Sequence, residues 1–475
     1  MLSTLKRVVP VALLAALSSY CLAAGGASLE RPPNFIVIFC DDMGYADIGP
    51  FGAKGYKTPN LDRMAAEGMK FTSFCVARSV CSPSRASLLT GCSPVRGGVP
   101  GNFGPGSKTG LSPAEMTFAE VVKQKQYATG MYGKWHLGHL PKFQPNSQGF
   151  DDWYGLPYSN DMWPYHPENG TRFRFPDLPL MENRKILNPK MLPKDQVHLT
   201  TTYNDRAVKF IEKNRERPFL LYLPHAMPHV PLFVKKENEG KSGGGLYGDV
   251  IGEIHSGVGR IIATLRRLEL DKNTLVIFTS DNGPWLLYGD HAGSAGPLRE
   301  GKATPFEGGF RVPCIMWWPG KIPAASECSE LASTIDILPT IAHLGGMKLP
   351  EKKSDGRNIW PLMSGKAGAK TPHEAFYYYS GSRLSGVRSG KWKLLFAQGF
   401  VQQKPPGKDG QPGKRAGGRI QLSLFDLEKD VGEKVNVAAA NPVVVRRLQG
   451  LAEGIRGKLG DAGRGGSESR PVGRG

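Results

Sequence analysis

Two long apolar runs stand out along the chain, and each of them ends in acidic residues. Residues 34–44 read NFIVIFCDDMG, and residues 274–283 read TLVIFTSDNG. Neither run alternates between apolar and polar positions, which is the pattern of a strand buried on both faces at the centre of a parallel sheet. The two runs therefore predict two central strands with carboxylates at their ends.

Helical periodicities fill the sequence between these two runs. Apolar residues recur at helical spacing over 60–68 and 201–214, and a further apolar run, 218–225, follows the second helix. Strands that alternate with helices predict an α/β fold, with a large mixed, mainly parallel sheet sandwiched by helices. Ligands of such sheets bind beyond the carboxyl ends of the strands. Both acidic clusters fall at that edge.

The pattern changes after about residue 365. Short strand-like pieces separated by turns follow, namely EAFYYYSGS, LSGVRSGKWKLLFA and LSLFDLEKD. They predict a small antiparallel sheet, on which a helix over 441–459 packs. We therefore expect a catalytic domain over 33–365 and a smaller C-terminal subdomain over 366–459. The Gly/Arg-rich end, 460–475, has the composition of a disordered tail.

The first residues have the layout of a cleaved export signal. Lys6 and Arg7 precede an apolar stretch, which ends in small residues at Ala23 and Ala24. This pattern predicts a signal peptide over residues 1–24 and a secreted or periplasmic protein. The apolar run is too short and interrupted to predict a stable membrane span. A lipid anchor at Cys21 is the less favoured alternative.

The chain carries a formal net charge of +19. Such an excess fits nucleic acid, anionic glycans or a membrane surface as partner, and export argues against nucleic acid. Much of the excess lies in the stretch QKPPGKDGQPGKRAGGR, residues 403–419. Two interpretations of this stretch stay open: a solvated loop, or a loop that faces a polyanion.

Six cysteines remain after removal of the signal, and they are scattered along the chain. They form no CxxC pair and no dense framework. The sequence therefore indicates neither a zinc site nor a disulfide scaffold.

Four oxygen-bearing side chains follow the two apolar runs: Asp41, Asp42, Asp281 and Asn282. A set of hard oxygen donors without sulfur or imidazole favours Ca²⁺, with Mg²⁺ as second choice, and argues against zinc. Either pair alone would be explained as a loop cap. Their common position at the ends of buried strands favours a metal site.

Residues 81–91, CSPSRASLLTG, predict a helix that begins near Cys81. Pro83 suits the first turn of a helix, and Gly91 suits its end. Backbone amides at such an N-terminus favour an anion, and a thiolate at that position is a plausible nucleophile. However, sulfur is a soft partner for a hard cation, so an oxygen function at position 81 would suit the site better.

The stretch CSPSRASLLTG resembles the signature of type I sulfatases, C-x-P-x-R followed by T-G. The segments DDMGYADIG, GKWHLG, SDNG and GKATPFEGGFRVP resemble the other motifs of that family in the family's order, over about residues 33 to 440. The resemblance implies an alkaline-phosphatase-like fold. It also implies that a maturation enzyme oxidises Cys81 to formylglycine during export. The layout is most similar to the arylsulfatase A and N-acetylgalactosamine-6-sulfatase branch.

The resemblance implies a calcium ion held by Asp41, Asp42, Asp281, Asn282 and residue 81 itself. The hydrate of formylglycine has two hydroxyls on one carbon, so one can attack sulfur and the other can then expel the sulfate and restore the aldehyde. Serine could perform only the first half.

The family likeness also implies roles for several basic residues and one serine. Arg85 would steady the hydrate, and Lys134 would bind sulfate. His136 would support formylglycine and the deprotonation in the second step. His229 would contact the leaving group, and Lys302 would clamp the sulfate and assist the leaving group. Ser159 would be a further substrate contact.

These assignments predict hydrolysis of aryl or carbohydrate sulfate monoesters, with a sulfated glycan as the natural substrate and aryl sulfates as surrogates. One alternative is a phosphatase or phosphodiesterase of the related architecture, but such sites need two metals, histidine ligands and a Ser or Thr nucleophile. Another alternative is an inactive protein that binds anionic glycans. The matched motif positions are intact, which favours the enzyme.

Overall fold

The two apolar runs form neighbouring strands at the centre of a ten-stranded sheet. The computed structural model describes residues 31–402 and 404–475, and strands and helices are numbered along the chain. The strands of the large sheet are β1 Asn34–Cys40, β2 Met69–Phe71, β5 Ala128–Lys134, β6 Asp152–Leu156, β7 Leu180–Glu182, β8 Lys185–Asn188, β9 Phe219–Pro224, β10 Thr274–Ser280, β11 Ile315–Trp317 and β12 Ser326–Cys328.

The strand order across this sheet is β12-β2-β11-β10-β1-β9-β5-β6-β7-β8. The five central strands, β10 to β6, run parallel, whereas antiparallel neighbours flank them on both sides. The register pairs Cys40 of β1 with Ser280 of β10. Consequently, the two acidic clusters lie side by side at the carboxyl edge of the sheet.

Helices cover both faces of the sheet. They are α1 Pro59–Ala66, α2 Cys81–Thr90, α3 Phe118–Val122, α4 Pro193–Gln196, α5 Leu199–Lys213, α6 Gly245–Arg267, α7 Glu307–Phe310, α8 Ile337–Leu344, α9 Trp360–Met363 and α10 Pro442–Leu459. Side chains of β1 alternate between the two faces. Phe35 and Val37 pack in the core that contains α2, α3 and α8, and Ile36 and Ile38 pack in the core that contains α1, α5 and α6.

A smaller antiparallel sheet forms the C-terminal part of the chain. Its order is β14-β15-β16-β19, and its strands are β14 Phe376–Ser380, β15 Arg383–Ser389, β16 Trp392–Leu395 and β19 Ser423–Asp426. Helix α10 packs Leu448 and Ala452 against this sheet. The large mixed, mainly parallel sheet between helices and the small C-terminal antiparallel sheet confirm the predicted fold class.

Four further pairs of short strands complete the fold. They are β3 Phe74–Cys75 with β13 Ala332–Ser333, β4 Thr109–Gly110 with β22 Gly473–Arg474, β17 Gln398–Gln402 with β18 Ala416–Ile420, and β20 Gly460–Asp461 with β21 Arg464–Gly465. The predicted signal peptide and Cys21 lie outside the described residues. No described helix is both long and apolar enough to cross a membrane. The six described cysteines are all buried and none forms a disulfide.

The end of the chain differs from the disordered tail that its composition predicts. β22 pairs with β4, and Arg470 donates to the buried Glu115 at 2.7 Å. Glu468 accepts from the buried Arg96 at 2.6 Å. The basic composition indicated a solvated tail. In the structure, however, charged residues of the tail pair with the buried charged side chains of Arg96 and Glu115, which lie far away in the sequence.

A buried group of charges joins the two sheets. The ammonium of Lys393, on β16, lies 2.9 Å from carboxylate oxygens of both Glu307, on α7, and Glu433, and none of the three side chains is exposed. Glu433 also accepts from the backbone amide of Glu307 at 2.7 Å. Lys393 therefore neutralises two carboxylates that would otherwise repel each other in the core.

Lys393→Met should lower the free energy of unfolding by about 3–5 kcal/mol, because it removes the ammonium that lies 2.9 Å from both buried carboxylates, and Arg388, 3.5 Å from Glu307, does not replace its contact with Glu433. Lys391→Met is the matched control, since Lys391 is partly exposed and pairs with Asp426 near the surface. Chemical denaturation of both variants checks this prediction. Equal transitions for the two variants would contradict it.

Candidate functional site

The carboxyl edge of the large sheet gathers candidate residues from several strands. Asp41 and Asp42 follow β1, Asp281 and Asn282 follow β10, and Lys134 is the last residue of β5. All five residues are buried. The parallel central strands thus bring together side chains that are up to about 240 positions apart in the sequence.

Helix α2 begins at Cys81, as predicted, and directs its N-terminus at this edge. Val80 before it is extended, and Gly91 after it adopts a left-handed conformation with φ of 68°. The Sγ atom of Cys81 lies 3.5 Å from Oδ1 of Asp41 and 3.5 Å from Nζ of Lys302. Burial and the negative charge of Asp41 raise the pKa of the Cys81 thiol well above its ordinary value, so the unmodified thiol stays protonated.

Arg85, one turn into α2, ties the strand ends together. Its guanidinium donates to Oδ2 of Asp281 at 2.7 and 3.0 Å and to the carbonyl oxygen of Lys134 at 3.0 Å. It also lies 3.4 Å from Oδ1 of Asp41. Arg85 therefore bridges β1, β5 and β10 at the site.

Two lysines contact different carboxylates of the site. Nζ of Lys134 lies 2.5 Å from Oδ2 of Asp41 and 3.0 Å from Oγ of Ser159. Nζ of Lys302 lies 2.7 Å from Oδ1 of Asp42. Burial opposes the charge of Lys134, but the Asp41 carboxylate holds its pKa above the ordinary value. Both lysines are therefore cations within the site.

His229 also reaches the cluster. Its Nδ1 lies 2.5 Å from the carbonyl oxygen of Val230, which can only accept, so Nδ1 carries a proton. Its Nε2 faces Oδ2 of Asp42 at 3.5 Å. His225, the other histidine of the same segment, lies beside Tyr203 instead.

His136 lies close to the site, two residues beyond the end of β5. Strand β5 ends at Lys134, and His136 has a left-handed φ of 60°. Its ring is buried, and its pKa is lowered well below the ordinary value by burial and by the charges of Lys134 and Arg85. The neutral imidazole is therefore the form this environment favours.

Several donor atoms of the site lie close enough together to hold a metal ion. One donor atom from each of Asp41, Asp42, Cys81 and His229 lies within 4.8 Å of the others. Oδ1 of Asn282 is buried and has no hydrogen-bond partner among the described residues. Carboxylate and amide oxygens of this kind suit Ca²⁺ or Mg²⁺.

Two further residues of the site escaped the sequence analysis. Asp161 is buried, and its pKa is lowered, against the effect of burial, by His229 and by a hydrogen bond from Ser159. The ring of Trp285 lies 4.5 Å from Nζ of Lys302 and 5.4 Å from the His229 ring. The short spacings Ser159-x-Asp161 and Asp281-x-x-x-Trp285 were the signals available in the sequence.

Comparisons with known proteins agree with this geometry. Residues 33–347 match the family model of sulfatases, and residues 371–463 match that of the C-terminal region of aryl-sulfatase. The chain is 38% identical to arylsulfatase A of Homo sapiens over 90% of this chain and 88% of that protein. It is 37% identical to N-acetylgalactosamine-6-sulfatase of Canis lupus familiaris over 92% of this chain and 87% of that protein.

Among solved structures, the chain is similar to Ps i-CgsB in complex with k-i-k-neocarrahexaose. The TM-score is 0.74 at 30% identity, and the match covers 90% of this chain and 93% of that chain. The fold, the cluster at the carboxyl edge and the relatives lead to one assignment. The chain belongs to the sulfatase family and is a sulfuric ester hydrolase.

Proposed function

We propose that this exported enzyme hydrolyses sulfate monoesters of glycans by means of a formylglycine formed from Cys81 and a bound calcium ion. One observation carries the proposal: Sγ of Cys81 lies 3.5 Å from both a carboxylate oxygen of Asp41 and the ammonium of Lys302. In this position residue 81 would act as the nucleophile beside the proposed metal ligands and a lysine proposed to bind sulfate.

The chemistry of position 81 requires more than its thiol. The hydrated aldehyde would supply two hydroxyls on one carbon, one to attack sulfur and one to allow release of the sulfate. Arg85 is held in place by Asp281 and the carbonyl oxygen of Lys134, so its role is to position the groups around residue 81. His136 is buried beside Lys134 and is the proposed base for the second step.

The residues that would hold the metal are Asp41, Asp42, Asp281, Asn282 and residue 81, with His229 close to the same point. Calcium bound there would polarise the sulfate ester as a Lewis acid. The three carboxylates already face three cations, Lys134, Lys302 and Arg85. A divalent cation would therefore give the site an excess of positive charge, which suits an anionic sulfate ester.

Four side chains around residue 81 can contact the substrate. Lys134 and Lys302 would bind sulfate oxygens, and Lys302 also approaches the leaving oxygen. Ser159, which accepts from Lys134 at 3.0 Å, fixes that lysine and adds a hydroxyl to the sulfate pocket. His229 holds its Nδ1 proton on Val230, so Nε2 is the atom that, when the ring is an imidazolium with a proton on both nitrogens, would give a proton to the leaving oxygen.

The proposal of a glycan substrate rests on the relatives. The chain resembles N-acetylgalactosamine-6-sulfatase and a structure solved with a neocarrahexaose. Both names refer to carbohydrates. The strongly positive net charge of +19 suits a polyanionic chain.

The enzyme, produced together with a formylglycine-generating maturation enzyme, should hydrolyse 4-nitrophenyl sulfate in strong preference to 4-nitrophenyl phosphate. It should also release sulfate from some members of a panel of defined sulfated saccharides. Ion chromatography of the released anion checks both results. Faster release of phosphate than of sulfate would favour the phosphatase alternative.

Metal binding can be tested without turnover. Added Ca²⁺ should raise the thermal unfolding midpoint, because a ligand that binds the folded state stabilises it. Asn282→Leu should abolish most of this rise, since it removes the unpartnered buried oxygen of the donor set. Comparing each variant with and without Ca²⁺ cancels its intrinsic loss of stability. The calcium site would be contradicted if Ca²⁺ raised the unfolding midpoint of Asn282→Leu as much as that of the wild type, or if the purified protein contained stoichiometric zinc.

A further inference from the structure

A basic hairpin projects from the C-terminal part of the chain. Its strands β17 and β18 pair from Gln398 with Ile420 to Gln402 with Ala416. The turn between them carries Lys404, Lys408 and Lys414, all exposed. Phe400 packs against Phe306, four residues after Lys302, at a centroid distance of 5.0 Å.

The tip of this hairpin is fastened to the segment 285–291. The backbone amides of Gly407 and Gly413 both donate to the carbonyl oxygen of Leu287 at 2.8 Å. The amide of Asp409 donates to Oδ1 of Asp290 at 3.0 Å. Gly289 has φ of 56°, and a Cβ there would lie 1.9 Å from the carbonyl oxygen of Gly407, so the close approach requires glycine.

The segment that holds the tip is a wall of the active site. It begins with Trp285, whose ring contacts the ring of His229 and the ammonium of Lys302. Tyr288 packs edge-on against Trp285 at 4.8 Å. The hairpin therefore stands directly behind the residues proposed to contact the leaving group.

A second contact joins the hairpin to the segment that contains Asp161. Arg415 donates to both carboxylate oxygens of Glu168, at 2.9 and 3.1 Å. The backbone amide of Glu168 donates to Nδ1 of His166 at 3.0 Å. Nε2 of His166 lies 3.7 Å from a carboxylate oxygen of Asp161, and Asp161 is hydrogen-bonded to the side chain of Ser159. Two independent chains of contact thus lead from the hairpin to the catalytic pocket.

We propose that Lys404, Lys408 and Lys414 form a subsite for the neighbouring anionic groups of a sulfated glycan while one of its sulfates occupies the pocket. This inference rests on the proposed function. Arg415 is engaged with Glu168 and fixes the hairpin, whereas the three lysines are exposed to solvent. Exposed lysines beside a cleft raise the local concentration of a polyanion, and salt screens this attraction beyond about 8 Å at physiological ionic strength.

The test compares K404Q/K408Q/K414Q with the matched control K125Q/K213Q/K272Q. The control lysines are exposed and precede β5, β9 and β10, so they lie at the amino ends of the strands, opposite the site. Both variants lose the same charge. Hydrolysis of 4-nitrophenyl sulfate is measured with ι-carrageenan hexasaccharide, chondroitin 6-sulfate hexasaccharide or N-acetylgalactosamine 6-sulfate as competitor, at low and high salt.

For at least one hexasaccharide, the hairpin variant should raise the inhibition constant about tenfold at low salt, relative to wild type. High salt should abolish this difference. The monosaccharide should compete equally with all three proteins, and the control should behave as wild type. The subsite would be overturned if the control variant raised the inhibition constant of the hexasaccharide as much as the hairpin variant does. It would also be overturned if neither hexasaccharide inhibited hydrolysis of 4-nitrophenyl sulfate by the wild-type enzyme. If wild type does not hydrolyse 4-nitrophenyl sulfate at all, the proposed function fails instead.

Discussion

Cys81→Ala should abolish turnover of 4-nitrophenyl sulfate, with a loss of about 10⁴-fold or more, the size expected when a covalent nucleophile is removed. Cys81→Ser should be equally inactive over many turnovers, even when produced with the maturation enzyme. A single hydroxyl can attack sulfur, but it has no second hydroxyl through which the sulfate can leave. Steady-state kinetics and a single-turnover measurement distinguish the two steps.

Cys92→Ala is the matched control for this experiment. Cys92 is also a buried, unbridged cysteine, but it contacts Arg470 in the C-terminal segment rather than the carboxylate cluster. We expect it to retain activity. Sustained multiple turnovers by Cys81→Ser would contradict the role of two hydroxyls on residue 81.

His229→Gln should lower kcat for a carbohydrate sulfate by about 10²- to 10⁴-fold, because loss of a general acid is most costly when the leaving alkoxide is basic. The loss for 4-nitrophenyl sulfate should be much smaller, since nitrophenolate leaves without a proton. Nε2 of His229 is the atom concerned, because Nδ1 is held by Val230.

His225→Gln controls for the loss of a buried histidine in the same segment. Both ring nitrogens of His225 are buried without a hydrogen-bond partner among the described residues, and burial lowers its pKa to about 3. We expect equal, small effects of His225→Gln on both substrates. If His229→Gln lowered kcat equally for both substrates, His229 would not be the general acid.

Residues adjacent to regular elements could be placed from the sequence. Asp41 and Asp281 follow apolar runs that form buried parallel strands, so their meeting at one edge follows from the fold class. Cys81 begins a helix because Pro83 and Gly91 mark its two ends. The motif resemblance named the remaining candidates, and the structure brings Lys134, Lys302, Ser159 and His229 to the same pocket.

Contacts between distant segments could not be predicted in this way. The oxygen donors at the two strand ends indicated a metal, but Arg85, Lys134 and Lys302 also neutralise the three carboxylates in the folded chain. Trp285 and Asp161 have no periodicity or motif of their own. Composition alone suggested a free tail, whereas Arg470 pairs with Glu115, a residue 355 positions away.

The central claim is that residue 81 acts as formylglycine, and peptide mass spectrometry of an active preparation tests it most directly. The peptide that spans residues 79–85 should contain an aldehyde at position 81. Across preparations made with and without the maturation enzyme, specific activity should rise in proportion to the converted fraction. Full activity in a preparation whose residue 81 is entirely intact cysteine would contradict the account.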